Sequence, residues 1–74
     1  MKIEKFTIID RQYLTGVLAT EDGKIDIEAE RLPGDLHIDR AIWHETGEDA
    51  SDIVASNLAQ VRAEIAAALA KALV

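Results

Sequence analysis

The stretch LATEDGKIDIEAER, residues 18–31, decides the fold. Asp22-Gly23 is typical of the central pair of a type I′ hairpin, because both central positions need positive φ and these residues tolerate it. Apolar residues then alternate with acidic ones, which predicts a strand with one buried and one solvated face. The apolar positions are Ile25, Ile27 and Ala29, and the acidic row is Asp26, Glu28 and Glu30.

A two-residue loop at Asp22-Gly23 predicts the register of this hairpin. It places Leu18 opposite Ile27 and Gly16 opposite Ala29, with Leu14 on the same face. Turn chemistry and hydrophobic pattern therefore predict the same hairpin.

Two further segments extend the sheet. Upstream, KFTIID (residues 5–10) predicts a strand with Phe6 and Ile8 on one side, followed by a turn or a bulge at Asp10-Arg11. Downstream, RLPGDL (residues 31–36) predicts a reversal with Pro33-Gly34 at its tip.

The next stretch, LHIDRAIWHE, spans residues 36–45. A helix would carry apolar residues on both sides, so a strand is favoured, with Ile38 near Ala29. A regular strand would place Leu36, Ile38 and Ile42 on one face and His37, Asp39 and Trp43 on the other. Two interpretations of Trp43 stay open, a core residue or an exposed anchor for a partner.

The C-terminal part predicts one long helix over about residues 50–73, because its apolar residues are spaced by three and four. Carboxylates near its start suit the helix dipole, and Asp49 or Ser51 is the expected N-cap. The apolar positions are Val54, Leu58, Val61, Ile65, Leu69 and Ala72. We expect a single α+β domain, residues 1–74: an antiparallel three- to four-stranded β-meander (about residues 2–45) packed by this helix.

Composition limits the function. The 74 residues include 14 acidic and 8 basic ones, for a formal net charge of −6. This charge disfavours direct binding to nucleic acid or to an anionic membrane. The chain has no cysteine, which excludes disulfides and thiolate zinc sites. No window approaches the roughly 20 apolar residues of a membrane span, and no secretory signal is visible, so we expect a cytoplasmic protein.

The two histidines are the main candidates for chemistry. In a regular strand His37 and His44 point to opposite faces, which leaves only His37 and Asp39 for one ion. Zinc needs three or four ligands. In a helix the histidines would stack on one side, so a metal-binding protein or small enzyme using His37 and His44 stays open as an alternative. We otherwise expect no enzyme, no cofactor and no metal.

The leading hypothesis is a small, non-enzymatic protein-interaction module with an unidentified protein partner. Its predicted partner-binding residues are Trp43, Arg40, His37, Asp39, Glu28 and Glu30. As an alternative, the acidic row could imitate nucleic acid and block a nucleic-acid-binding protein.

A homodimer is also predicted from the length of the helix. About 24 helical residues extend roughly 36 Å, whereas a strand of about eight residues spans about 26 Å. The apolar end of the helix would overhang the sheet and pack on a second copy. The predicted interface consists of Ile65, Leu69, Ala72 and Leu73.

A strand ending in RLPGD (residues 31–35) and followed by an Ala/Leu-rich helix resembles the antitoxin domains of the HicB type. A proline-glycine bend also lies between strand and helix in those domains. The spacing from LPG to the helix is longer here and the first strand lacks their pattern, so the resemblance implies a sheet-plus-helix fold alone. Compact acidic chains without catalytic signatures are also common among small phage and mobile-element proteins.

Overall fold

The computed structural model describes residues 1–72, which form a four-stranded antiparallel sheet and a C-terminal helical layer. The strands pair in chain order, β1-β2-β3-β4, and the helical layer packs on one face of the sheet. The predicted α+β meander with a C-terminal helix is thereby confirmed. The elements are β1 (Lys2–Ile8), β2 (Tyr13–Thr20), β3 (Gly23–Leu32), β4 (Asp35–Trp43), α1 (Ser51–Ser56) and α2 (Leu58–Ala72).

The β2–β3 hairpin differs from its predicted register by two residues. Leu18 lies opposite Ile25, and the loop consists of Glu21 and Asp22. Positive φ falls on Gly23, at 136°, and not on Asp22, so the loop is not the expected type I′ turn. Because side chains alternate with a period of two, this shift leaves every residue on its predicted face.

The core lies between the sheet and the helical layer. Within residues 1–72 it contains no buried polar side chain, so burial of apolar surface is its main source of stability. The strands supply Leu14, Leu18, Ile25, Ile27, Ala29 and Ala41, and the C-terminal part supplies Ala50, Val54, Val61 and Ile65.

The predicted single helix is divided at Asn57. The side-chain amide of Asn57 donates to the carbonyl of Ile53 (2.9 Å), and its backbone N–H donates to Val54 (3.2 Å). Asparagine side chains compete with the backbone for such hydrogen bonds, which interrupts a regular helix. The remaining helix, α2, has 15 residues and begins again at Leu58.

The division changes how the helix meets the sheet. At about 1.5 Å per residue, α2 is roughly 22 Å long, which matches a strand. Lys71 and Ala72 still lie beside Lys2 and Ile3 of β1. As far as Ala72, α2 therefore does not extend beyond the sheet, contrary to the prediction from the sequence.

The start of α1 is fixed to the end of β4. Ala50 occupies the N-cap position, so the predicted N-cap, Asp49 or Ser51, is wrong. Its backbone N–H donates to Ala41 in β4 (2.9 Å). Asp49 Oδ1 instead accepts hydrogen bonds from the backbone N–H (3.3 Å) and hydroxyl (2.6 Å) of Ser51.

The β1–β2 connection is a turn built around Asp10. Its Oδ1 accepts hydrogen bonds from the backbone N–H groups of Gln12 (2.7 Å) and Tyr13 (2.9 Å). These two bonds stabilise the carboxylate and lower the pKa of Asp10 below its usual 3.8.

We expect this turn to make stability pH-dependent in acid. A lowered pKa in the folded state means that the contribution of Asp10 is fully present above the unfolded pKa of about 3.9 and is lost as pH falls through the folded pKa. Asp10→Asn keeps an oxygen acceptor but removes the charge, so its unfolding free energy should fall less steeply below about pH 4. Chemical denaturation at a series of pH values measures this. Parallel acid profiles for the two proteins would contradict it.

Gly16 lies beneath a bulge in β1. Lys5 and Phe6 together stand opposite Gly16, and Lys5 has a positive φ of 46°. A Cβ at Gly16 would lie 2.9 Å from Ile3 Cδ1 and 3.7 Å from Phe6 Cδ1. The glycine therefore lets β1 approach the core closely.

Gly16→Ala is expected to lower the free energy of unfolding by about 1 kcal/mol, because the added methyl group overpacks this contact. Ile3→Val removes the methyl group it would meet, and alone should cost about 0.5–1.5 kcal/mol. The double variant should therefore lose less than the sum of the two single losses. A double-mutant cycle from urea denaturation measures the coupling, and strict additivity would show that the two groups do not meet.

Candidate protein-interaction surface

Among residues 1–72, the helices cover one face of the sheet and leave the other without a helix over it; we call the second the open face. Its residues are assigned by the strand register, since side chains on neighbouring strands that face each other point to the same side. From β1 to β4 they include Lys2, Glu4, Thr7, Tyr13, Thr15, Val17, Ala19, Lys24, Asp26, Glu28, Glu30, His37, Arg40 and Ile42.

A bulge at Asp39 determines which β4 residues belong to this face. Glu28 pairs with Arg40, but the next residue, Ala29, pairs with Ile38, which leaves Asp39 without a cross-strand partner. The prediction treated β4 as a regular strand and placed Ile42 with Ile38. The extra residue moves Ile42 to the open face instead.

The same bulge corrects the predicted position of Trp43. Trp43 pairs with Ile25 and packs against the apolar core, on the side of the helices. Its ring also lies against Gly23, where a Cβ would be 3.7 Å from Cζ3. Trp43 is partly buried, so we treat it as a packing residue and not as an outward anchor.

The two histidines lie on the same face of the sheet, and not on opposite faces as a regular strand predicts. His37 pairs with Glu30 on the open face, and His44 Nδ1 lies 3.0 Å from Asp26 Oδ2 on that same face. They nevertheless stand at opposite ends of β4, about 20 Å apart at roughly 3.3 Å per residue. His37 has its own neighbour, Asp39, with Nε2 3.4 Å from Oδ1. The two histidines are thus not brought to one site.

The acidic row of β3 is interleaved with other polar groups. Arg40 lies 3.9 Å from Glu28, and Gln12 donates a hydrogen bond to Glu30. Together with the contact between His44 and Asp26, each carboxylate of the row has a neighbour. The open face therefore carries charges of both signs, and imitation of nucleic acid stays a prediction.

No family model, curated protein or solved structure matches this chain. Functional inference therefore depends on the chemistry of its own surfaces. Within residues 1–72, no three His, Cys, Asp or Glu side chains come together to hold a metal ion. In the same range, no helix is long and apolar enough to cross a membrane.

The open face has an apolar centre that the sequence hypothesis did not name. Val17 and Ile42 flank Asp26 in one cross-strand row, and both are only partly buried. Tyr13, 42% exposed, is the first residue of β2. The position of Val17 on the open face could have been predicted, because the side chain next to the buried Leu18 in a strand points to the opposite face. The position of Ile42 could have been predicted from Asp39-Arg40, because two adjacent polar residues break the alternation of apolar and polar residues in β4.

The predicted dimer residues occupy different environments. Ile65 is fully buried beneath the sheet, so its side chain is not available to a second copy. Leu69 is partly buried and packs against the core, whereas Ala72 is exposed. Leu73 lies outside the described residues.

A surface groove runs between α2 and β1; we call it the β1–α2 groove. Its apolar lining comprises Ile3, Phe6, Ala67, Ala68 and Ala72. The charged residues that line it are Lys2, Glu4, Lys5, Glu64 and Lys71.

Proposed function

We propose that the protein is a non-enzymatic module that binds a partner protein through its open face. The observation that carries this proposal is the uncovered sheet face, on which Val17 and Ile42 stand on either side of Asp26 with charged pairs around them. A small apolar centre within a polar surround is the usual anatomy of a protein–protein interface.

The charges of the open face support a protein partner over a nucleic acid. Binding to a phosphate backbone depends on clustered lysine and arginine, whereas here Arg40 lies beside Glu28. Both side chains of this pair are more than half exposed, at 59% and 56%, so the pair contributes little to folding. A partner surface with charges of both signs would complement this arrangement.

The test compares two matched variants, Ile42→Glu and Ile53→Glu. Ile42 lies on the open face, whereas Ile53 is an exposed residue of α1, in the helical layer. In affinity capture from cells of the source organism, a protein held by the unmodified chain and by Ile53→Glu should be lost with Ile42→Glu. Circular dichroism first establishes that both variants fold. Equal capture by the two variants would refute binding through the open face.

A further inference from the structure

We infer that the β1–α2 groove is the interface of a two-fold homodimer, in which α2 of one copy packs antiparallel against α2 of the other. The occupant of the groove is therefore a second copy of this chain. The inference adds a self-association site to the proposed function. The groove borders the open face at Lys2 and Glu4 but does not include Val17 or Ile42.

The charge pattern of α2 is self-complementary about one point. Glu64 and Lys71 both line the groove, and they lie at equal distances along the helix from the midpoint between Ala67 and Ala68. In a two-fold pair of antiparallel helices centred there, Glu64 of each copy stands opposite Lys71 of the other. Two equivalent ion pairs form at once, whereas a parallel pairing would oppose like charges.

Side-chain size supports the same centre. Ala67 and Ala68 lie at the two-fold axis, and alanine allows two helices to approach closely. Ile3 and Phe6 of β1 line the same groove and pack partly against the core. They supply the larger apolar surface beside the helix contact. Burial of this surface would stabilise a small domain, which on its own hides a smaller fraction of its unfolded surface than a larger domain does.

The overall charge favours this location. Each chain carries a formal net charge of −6, so two copies repel over most of their surfaces. The groove is different, because its charged lining comprises three lysines and two glutamates. Close approach of two acidic chains is therefore less opposed at this edge than the net charge alone would suggest.

The first experiment measures mass in solution. Light scattering and sedimentation at micromolar concentration should give twice the chain mass of 8.1 kDa for the unmodified protein. Ala67→Arg, which places a long charged side chain at the axis, should reduce this to the mass of one chain. Ala59→Arg is the matched control, since Ala59 is an exposed alanine of α2 outside the groove, and it should stay dimeric.

The second experiment tests the ion pairs. Glu64→Lys places a lysine of each copy opposite Lys71 of the other, so this variant should be a monomer. The exchanged variant, Glu64→Lys with Lys71→Glu, restores opposite charges and should regain the dimer. Because the chain has no cysteine, a single Ala67→Cys should also cross-link two copies under oxidation, while Ala59→Cys should not.

The inference is overturned if the unmodified protein is a monomer, or if the dimer persists in either Ala67→Arg or Glu64→Lys. Failure of the proposed function has a separate signature, because Ile42→Glu would then capture the same partner while the dimer persists. Circular dichroism of each variant separates loss of the dimer from loss of folding.

Discussion

Leu18→Ala is expected to lower the free energy of unfolding by about 2–5 kcal/mol. Leu18 is fully buried in the centre of the sheet and faces Ile25 across the hairpin. Truncation removes apolar contacts and leaves a cavity that a rigid sheet cannot collapse to fill. A domain of this length has a total stability of about 4–11 kcal/mol, at roughly 0.05–0.15 kcal/mol per residue, so this single change would remove a large share of it.

The matched control is Val17→Ala, one residue away on the same strand. Val17 is partly exposed on the open face, so its truncation should cost less than about 1 kcal/mol, as is usual for surface positions. Urea denaturation followed by circular dichroism measures both variants, provided that the slopes agree. Similar losses for the two variants would show that both faces of β2 are covered.

Trp43→Ala is the second large effect, with an expected loss near the lower end of about 3–5 kcal/mol. The ring is partly buried, packs against the core and covers Gly23 at the end of the β2–β3 hairpin. Its backbone N–H also donates to Glu48 (2.8 Å), which holds the loop before α1. Removal of the ring would therefore expose the junction between the sheet and the helical layer.

Ile42→Ala is the control for Trp43→Ala. Ile42 is the neighbour of Trp43 in the chain, but its side chain lies on the open face. Its expected loss is less than about 1 kcal/mol, by the same surface argument. Thermal and urea unfolding by circular dichroism serve for both, since Trp43 is the only tryptophan and its fluorescence is lost with it. A stability unchanged by Trp43→Ala would restore the outward anchor that the sequence suggested.

The fold followed from the sequence wherever local signals and periodicity agreed. Alternation from Ile25 to Ala29 identified the buried face of β3, and Pro33-Gly34 identified the next reversal, where Gly34 indeed has a positive φ of 71°. The predicted register of the β2–β3 hairpin was wrong because Asp22-Gly23 fits more than one type of turn. Only the pairing of the flanking strands decides between such turns.

Other details depend on contacts that no local pattern encodes. Asn57 looked like one polar residue on an otherwise regular helix, and its hydrogen bond to Ile53 is what interrupts it. Ala50 has little capping propensity, but its backbone N–H is bonded to β4. A local side-chain hydrogen bond interrupts the helix at Asn57, whereas pairing with β4 fixes Ala50.

The candidate surface was predicted in part. His37 and the carboxylates Glu28 and Glu30 lie together on the open face, as a regular strand predicts, whereas Arg40 joins them only because of the bulge at Asp39. Trp43 was assigned to the wrong side, because a single extra residue reverses the parity of everything after it. The neighbours of the acidic row lie far away in sequence, so its mixed charge could not be inferred from β3 alone.

The bulge at Asp39 has a counterpart in β1, and the two lie on the outer strands of the sheet. Regular outer strands offer unpaired backbone groups to other molecules and promote aggregation. If Asp39 were deleted, the remaining residues of β4 would alternate without interruption and keep their present faces, but the strand would become a flat template for other strands. Irregularity at both margins thus disfavours backbone pairing between the edges of two copies, and the bonds from β4 to Glu48 and Ala50 cover part of one edge.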